Sequence, residues 1–367
     1  MNLFIIPSWY PSPASPLSGI FTKEQAEAIA DISNGTNVIM STWGHDFTAL
    51  PVRKPLVWIE KILWVLRQPK NHIKKVNGVH EVFNAQLQWN ERLPFGGIKQ
   101  LIKVNRKNFK AAMDRFGKID IIHAHVSFPA GYIARELSKE FNVPYVVTEH
   151  MSPFPFVAYM NGDQPRKEIV EALNNANVSI AVSPSLADRI ASFNISKPQV
   201  IGNIVDERRF SVAKLPTDKF VFFTLGGISE QKGIDHLIQA IAKWKPDPKH
   251  YEFRIGGTGP MLEHYQQLAK ELKVDELIKW LGSIDRNKVP KLFQECDVFV
   301  LPSRHETFGV VYAEAHACGK PVIATRCGGP EFFVNDNNGM LVDVGDIEEL
   351  AESLKRIVGR HSDYDSK

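Results

Sequence analysis

The chain has 367 residues, of which 44% are hydrophobic, and a formal net charge of +3. That length divides into two domains of about 150 to 200 residues each, and the composition excludes a disordered chain. No apolar run approaches the roughly 20 residues that cross a bilayer, and the start MNLFIIPSWYP has neither a basic segment nor a cleavage site, so a soluble or peripheral protein is expected. Three cysteines, Cys296, Cys318 and Cys327, show no paired framework or metal spacing and read as reduced thiols of a cytosolic protein. The charge is uneven: thirteen Lys or Arg against three acids (Glu60, Glu81, Glu91) lie between Arg53 and Lys110, an excess of ten that leaves the remainder at minus seven. Such a patch belongs against something anionic.

In chain order, residues 2–6 form a buried-type strand. A Pro- and Ser-rich loop ending at Gly19 leads to a helix over 22–32 and a strand over 37–42, the start of a doubly wound domain. The segment PLVWIEKILWVLR (55–67) has helical periodicity, with Trp58, Ile59, Ile62, Leu63, Val65 and Leu66 on one broad face and Glu60, Lys61, Trp64 and Arg67 on the other. Two readings stay open: a core-facing helix, or an interfacial one drawn to an anionic membrane surface by Arg53, Lys54, Lys70, Lys74 and Lys75 around it. A strand over 120–125 (DIIHAH) precedes a helix that starts near Pro129. His123 and His125, two apart in a strand, point the same way, and no third ligand at suitable spacing makes them a metal site. A strand over 144–148 delivers Glu149 and His150 at its tip. A strand over 178–182 and a helix starting at Ser183, with Pro184 in its first turn, follow.

Residues 206–218 read as a linker, which gives domains at 1–205 and 219–367. A strand over 220–225 ends in GGISEQKG, which contains Lys232, and a helix begins at Ile234. The strand over 251–255 precedes GGTGP, a glycine cluster that does not complete a dinucleotide-binding G-x-G-x-x-G. Trp280, Leu281 and Gly282 begin a loop that continues through Ser283. The stretch from Asp297 to Glu331 organises the rest: a strand over 298–301, a break at Pro302, Glu306 directly before Thr307, Phe308 and Gly309, a helix carrying Glu314, and the strand PVIAT. Strand, loop, helix and parallel strand put that loop at the carboxyl end of a sheet, where open α/β sheets bind ligands. Eight positions at about 3.6 residues per turn place Glu306 and Glu314 near one helical face. The amides of Phe308, Gly309 and Val310 at the helix mouth suit an anion. A last helix runs over 346–358. The only Asp-x-Asp pair, Asp363 and Asp365, falls in the closing tail and does not read as a metal site.

PSRHETFG, EAHACGKPVIAT, GGPE and NNGMLV occur in that order, and together they resemble the donor-site signature of retaining glycosyltransferases of family four. The resemblance covers most of the chain. It implies the GT-B fold, an α/β plan of two Rossmann-like doubly wound domains facing a central cleft, the first binding the acceptor and the second the nucleotide-sugar donor. Relatives continue past this point with helices that cross back onto the first domain, and a chain ending at residue 367 is expected to lack them. By the same resemblance Glu306 binds the donor sugar's hydroxyls, Glu314 binds the ribose and Lys232 neutralises the diphosphate. The family's neighbouring Arg is replaced here by Gly227, so the mouth residues Thr307, Phe308, Gly309 and Val310, with Arg304, are expected to share the charge. Gly282 and Ser283 would lie against the base. His125 matches the family's acceptor-side histidine, with His123, His150 and Gly19 on the same side. Ile204 stands where the family has glycine between Asn203 and Asp206.

The implied function is a retaining, metal-independent transfer of a sugar from a UDP- or GDP-linked donor to an acceptor hydroxyl, with no cofactor, in bacterial cell-surface polysaccharide or glycolipid synthesis. Expected partners are the nucleotide sugar, a sugar or lipid-linked acceptor and an anionic membrane surface met through residues 53–110, with no nucleic acid. The expected location is the cytoplasm, peripheral on the inner membrane face. Two alternatives stay open: a nucleotide-sugar epimerase or phosphorylase on the same plan, and a sugar-nucleotide binding protein that has lost catalysis, the latter motivated by Gly227 and Ile204.

Overall fold

The computed structural model describes residues 1–12, 15, 17–50, 56–89, 96–361 and 364. Arg53, Lys54, Glu91, Arg92 and the pair Asp363 and Asp365 therefore lie outside the described residues. The chain divides into two compact units, Met1–Val182 with Ala187–Ile201, and Ser183–Leu186 with Gly202–Lys367.

The first unit is built on β1 (Asn2–Pro7), α1 (Ile20–Ile32), β2 (Asn37–Thr42), α2 (Leu56–Arg67), β3 (His72–Val76), β4 (Val79–Phe83), α3 (Ile98–Phe116), β5 (Ile121–His125), α4 (Tyr132–Phe141), β6 (Tyr145–Glu149), β7 (Met160–Asn161), β8 (Gln164–Pro165), α5 (Lys167–Asn174), β9 (Val178–Ala181), α6 (Pro184–Ala191) and β10 (Gln199–Val200). Its eight-stranded sheet has the order β10-β9-β6-β5-β1-β2-β4-β3, and the pairings are parallel except β3 with β4. The continuous apolar runs Leu3–Ile6 of β1 and Val38–Met40 of β2 fit strands covered on both faces.

Three elements of this unit depart from the sequence reading. The β3–β4 hairpin turns at Asn77 and Gly78, both with positive φ (46° and 84°), as a two-residue turn requires. Residues 98–116, read only as part of the basic patch, form the long helix α3. Its inner face mixes Leu101, Val104 and Phe109 with buried Asn105 and Asn108. Ser41 Oγ donates to Asn105 Oδ1 at 2.6 Å, and Asn108 Nδ2 donates to the Thr42 carbonyl at 3.0 Å. The core-facing reading of α2 is overturned. None of its described side chains is buried, and Ile59 (60% exposed), Ile62, Leu63 and Leu66 (75%) form an open apolar stripe. The side that packs carries Trp64, which meets the Phe83 ring edge-on at 6.2 Å.

The second unit comprises β11 (Phe220–Leu225), α7 (Ile234–Trp244), β12 (Tyr251–Gly256), α8 (Leu262–Glu271), β13 (Ile278–Gly282), α9 (Val289–Glu295), β14 (Val298–Leu301), α10 (Val310–Ala317), β15 (Val322–Thr325), β16 (Gly339–Val342) and α11 (Ile347–Val358). Its six strands are all parallel in the order β13-β12-β11-β14-β15-β16. One core holds it together, with Phe222, Phe253, Phe293 and Phe299 against Leu237, Ile241, Leu354 and Ile357. Residues 206–218 run along this unit: Phe210 is buried in its core and the Leu215 amide donates to the Gln294 carbonyl at 3.0 Å. Trp280, Leu281 and Gly282, read as the start of a loop, are the end of strand β13.

Candidate active site

In the second sheet the strand order reverses between β11 and β14, so the crevice that such sheets use for ligands opens where the loops after these two strands meet. The loops are zipped together there. The Arg304 amide donates to the Gln231 carbonyl at 2.7 Å, and Gln231 Nε2 donates to the His305 carbonyl at 2.9 Å. Gly233, at φ +63°, lies so close to the Pro302 carbonyl that a Cβ would sit 1.9 Å from its oxygen, and only glycine allows that approach.

The result is a three-residue cluster. Lys232 Nζ donates to Glu306 Oε1 at 2.6 Å, and Ser303 Oγ donates to the same oxygen at 2.7 Å. Glu306 is only 6% exposed, so its charge rests on these two donors. It is not on a helix, as the eight-residue spacing implied. It precedes α10 by four positions and is fixed by a bridge to Gly328. Gly329, next in that strand of chain, passes so near Phe308 that a Cβ would lie 2.6 Å from its amide nitrogen.

Glu314 is held elsewhere. It lies in α10, 1% exposed, and Arg286 Nη2 donates to its Oε1. Thr307 and Phe308 are buried, and Gly309 and Val310 open α10, whose first amides have no partner within the helix. Arg304 is engaged by Asp235 in a bidentate pair, with Nη1 donating to Oδ1 at 3.0 Å and Nη2 to Oδ2 at 2.6 Å. Around Gly227 nothing lies within 4 Å of the point a Cβ would occupy. Gly282 and Ser283 sit at the end of the outer strand β13. The sequence reading did not single out Ser303, Arg286 or Asp235. A serine three residues before Glu306 was a usable signal; the other two come from elements distant in the chain, Asp235 from the first turn of α7 and Arg286 from the turn before α9.

The first unit has its own cluster, at the carboxyl ends of β5 and β6. His125 is buried, and its Nδ1 lies 3.1 Å from His150 Nε2, while His123 Nε2 lies 2.8 Å from Thr148 Oγ1. Burial lowers the pKa of His123 to about 4 and of His150 to about 3, and burial, with the neighbouring imidazoles His123 and His150, drives that of His125 well down, so all three are neutral near pH 7. Among the described residues His125 Nε2 has no hydrogen-bond partner. Glu149 braces the turn that follows by accepting from the amides of Ser127 (3.0 Å), His150 (2.9 Å) and Met151 (2.8 Å). Val126, directly after His125, has φ +77°, a conformation that costs a β-branched residue on the order of 1–3 kcal/mol. Gly19 caps α1 at φ +63°.

No thiol is poised as a nucleophile. Burial pushes Cys296 and Cys327 to about 12 and Cys318 to about 11. Among the described residues no group of three or more His, Cys, Asp or Glu is arranged to hold a metal ion, and no helix is long and apolar enough to cross a membrane.

Two doubly wound sheets of this topology define the GT-B class. Sucrose-phosphate synthase from Thermosynechococcus elongatus superposes with a TM-score of 0.73 and 22% identity, covering 99% of this chain and 91% of that one. Anabaena HepE, solved in complex with UDP, does so with a TM-score of 0.69 and 20% identity, covering 99% and 92%. The family described as Glycosyltransferase Family 4 matches residues 62–209 and that described as Glycosyl transferases group 1 matches residues 205–363, and the chain belongs to these family-four glycosyltransferases. Among curated relatives, the lipopolysaccharide core biosynthesis glycosyltransferase LpsE of Rhizobium meliloti is 32% identical over 55% of this chain and 59% of its own. A Bacillus subtilis protein assigned to teichuronic acid biosynthesis as glycosyltransferase TuaC is 27% identical over 97% of this chain and 89% of its own.

Proposed function

We propose that the protein moves a sugar from a nucleoside-diphosphate sugar to an acceptor hydroxyl with retention at the anomeric carbon and without a metal ion, in the synthesis of a bacterial cell-surface polysaccharide or glycolipid. The observation that carries this is the meeting of Lys232, Ser303 and Glu306 at the switch point of the second sheet. The bond from C1 to the diphosphate oxygen breaks as the acceptor oxygen bonds to C1 on the same face, and the acceptor proton passes to the departing phosphate. Charge grows on the diphosphate, so preorganised positive groups are the main catalytic requirement. Lys232 and the α10 mouth supply them, Glu306 takes the sugar hydroxyls, Glu314 with Arg286 takes the ribose, and His125 lines the acceptor side. The first unit binds the acceptor and the second the donor. A UDP-linked donor agrees with the UDP bound to HepE, and the cell-surface role agrees with the names of LpsE and TuaC.

The acceptor is met at the cytoplasmic face of a membrane. Support comes from the open stripe of α2 and from the excess of basic over acidic residues in the sequence around it, Lys61, Arg67, Lys70, Lys74 and Lys75 among them.

The test is incubation with a panel of labelled UDP- and GDP-sugars. Slow release of nucleoside diphosphate without acceptor is the expected result, and Glu306→Ala should abolish it with the fold intact. A second reading, a binder without turnover, is favoured by the missing base at Gly227; tight donor binding with no release under any acceptor would establish it.

A further inference from the structure

A cavity of about 340 Å³ lies within the first unit, against the face of its sheet near the antiparallel edge. The register sets Lys74 beside Glu81 and His72 beside Phe83 across β3 and β4, so these four side chains share one face. Met40 of β2, beside Glu81 on the other flank, belongs to the same face and packs there with Leu3, Ile5, Val79 and Ala26 of α1. Trp64 brings α2 to the cavity, and Tyr10 and Pro11 enter it from the loop after β1. A volume in this range suits a small organic ligand.

A buried carboxylate sits in this lining. Tyr10 Oη donates to Glu81 Oε1 at 2.5 Å, and Lys74 Nζ pairs with Glu81 Oε2 at 2.9 Å. The two partners are held differently. Tyr10 is buried, and burial, followed by the Glu81 charge, raises its phenol well above the ordinary value, so it stays a donor. The Lys74 side chain is 54% exposed against 10% for Glu81, and an ion pair with one solvated member is weakly held. Among the described lining residues these two are the only Lys, Arg, Asp or Glu, so the cavity offers one charge of each sign.

That pairing selects among ligands. An anion that draws Lys74 away leaves a buried carboxylate with the phenol as its remaining donor. An amine alone exchanges one ammonium for another and gains no contact. A ligand with both signs replaces the single pair by two charge-assisted contacts. Glu81 Oε2 accepts an N–H, so the incoming cation must donate one, as a primary ammonium does and a quaternary one does not. Trp64, meeting Phe83 edge-on at 6.2 Å, and Pro11 give apolar cover to carbon between the charges. We infer that this cavity binds a zwitterion with a primary ammonium and a phosphate a short carbon chain apart, the ammonium on Glu81 and the phosphate on Lys74. Phosphoethanolamine is the simplest such group, free or as the headgroup of a phospholipid. The inference does not rest on the transferase reading.

The experiment is calorimetry on the full chain with phosphoethanolamine, ethanolamine, phosphocholine and inorganic phosphate. Phosphoethanolamine should bind about tenfold more tightly than each of the other three, the effect of one added charge-assisted contact. Two substitutions should then act in opposite senses on the half-ligands. Lys74→Ala should weaken phosphoethanolamine about tenfold and strengthen ethanolamine, whose rival for Glu81 is gone. Glu81→Gln should weaken phosphoethanolamine equally and strengthen phosphate. Lys74 is half solvated, so its variant reads the site even where the buried Glu81→Gln does not fold. Vesicles of phosphatidylcholine with and without phosphatidylethanolamine, both uncharged overall, separate the sources. Retention that needs phosphatidylethanolamine and is lost in Lys74→Ala supports the site with a headgroup as ligand; binding of the free compound alone supports it with a soluble one. No binding of phosphoethanolamine, equal binding of phosphocholine or phosphate, or a Lys74→Ala protein that binds ethanolamine no better than the wild type overturns the inference.

Discussion

Breaking the pair between Lys232 and Glu306 is the most informative single perturbation. At 2.6 Å and an effective dielectric near 20 the two charges attract by about 6 kcal/mol, most of which is offset by taking both out of water. Lys232→Met leaves a nearly buried carboxylate with Ser303 as its remaining donor, so unfolding stability should fall by about 3 kcal/mol, the lower part of the range for a broken buried pair because the lysine keeps some solvent contact. Glu306→Gln keeps the shape and an acceptor oxygen for both donors and should cost less than about 1 kcal/mol. The double variant removes the orphaned charge and should recover about 2 kcal/mol relative to the sum of the two. Donor hydrolysis should behave differently. Each variant loses a group needed as charge develops, and each should lose about 100- to 1,000-fold in kcat. Denaturant titration and single-turnover hydrolysis on the four proteins measure both. Additive stabilities, or a Lys232→Met enzyme with near-normal kcat, would refute the assignment.

Gly227→Arg should strengthen UDP binding by about tenfold in calorimetry, because the space is open and one new charge-assisted contact is of that order; unchanged or weaker binding would show that another group already serves the phosphates. The buried neutral histidines make the first unit acid-sensitive. Their folded pKa values lie below the unfolded 6.5, so the unfolded chain binds more protons between the two values, and stability is full above about 6.5 and falls as pH drops toward 4. The loss from pH 7 to 5 should approach about 2 kcal/mol per histidine, with His123→Gln flattening the slope by its share in thermal melts. Vesicles containing anionic lipid should retain the protein at low salt and release it as salt rises, and Leu63→Glu with Leu66→Glu should abolish retention; indifference to lipid charge would remove the membrane from the proposal.

The second unit was the more legible half. Strands 220–225 and 298–301 coincide with β11 and β14 because both are almost wholly apolar, short and followed by Gly or Pro, the strongest local signals available. Helix α3 is hard to read because amides interrupt its buried apolar face of Leu101, Val104, Phe109 and Ala112; Asn105 and Asn108 find partners on β2 that local sequence does not reveal. The NG turn of the β3–β4 hairpin was visible, but its lysines drew attention to charge. For the site, Lys232 and Glu306 were readable from motif order, while their contact depends on the crossing of two loops 74 positions apart. Periodicity marks an apolar face on α2 without saying what covers it, so sequence alone left the core-facing and interfacial readings both open. Arg286 reaches Glu314 from 28 positions away, a tertiary pairing that local spacing does not encode.

The lysine at the β11–β14 junction is already spoken for when the enzyme is empty. A simple anion must compete with a carboxylate to win it, whereas an intact sugar nucleotide offers that carboxylate hydroxyl donors at the moment its phosphates draw the ammonium away. Once the sugar has left, the two side chains can close on each other again, and the spent nucleotide loses its hold. In the proposed reaction the resting ion pair thus works as a latch that favours loaded donor on entry and hastens the exit of what remains.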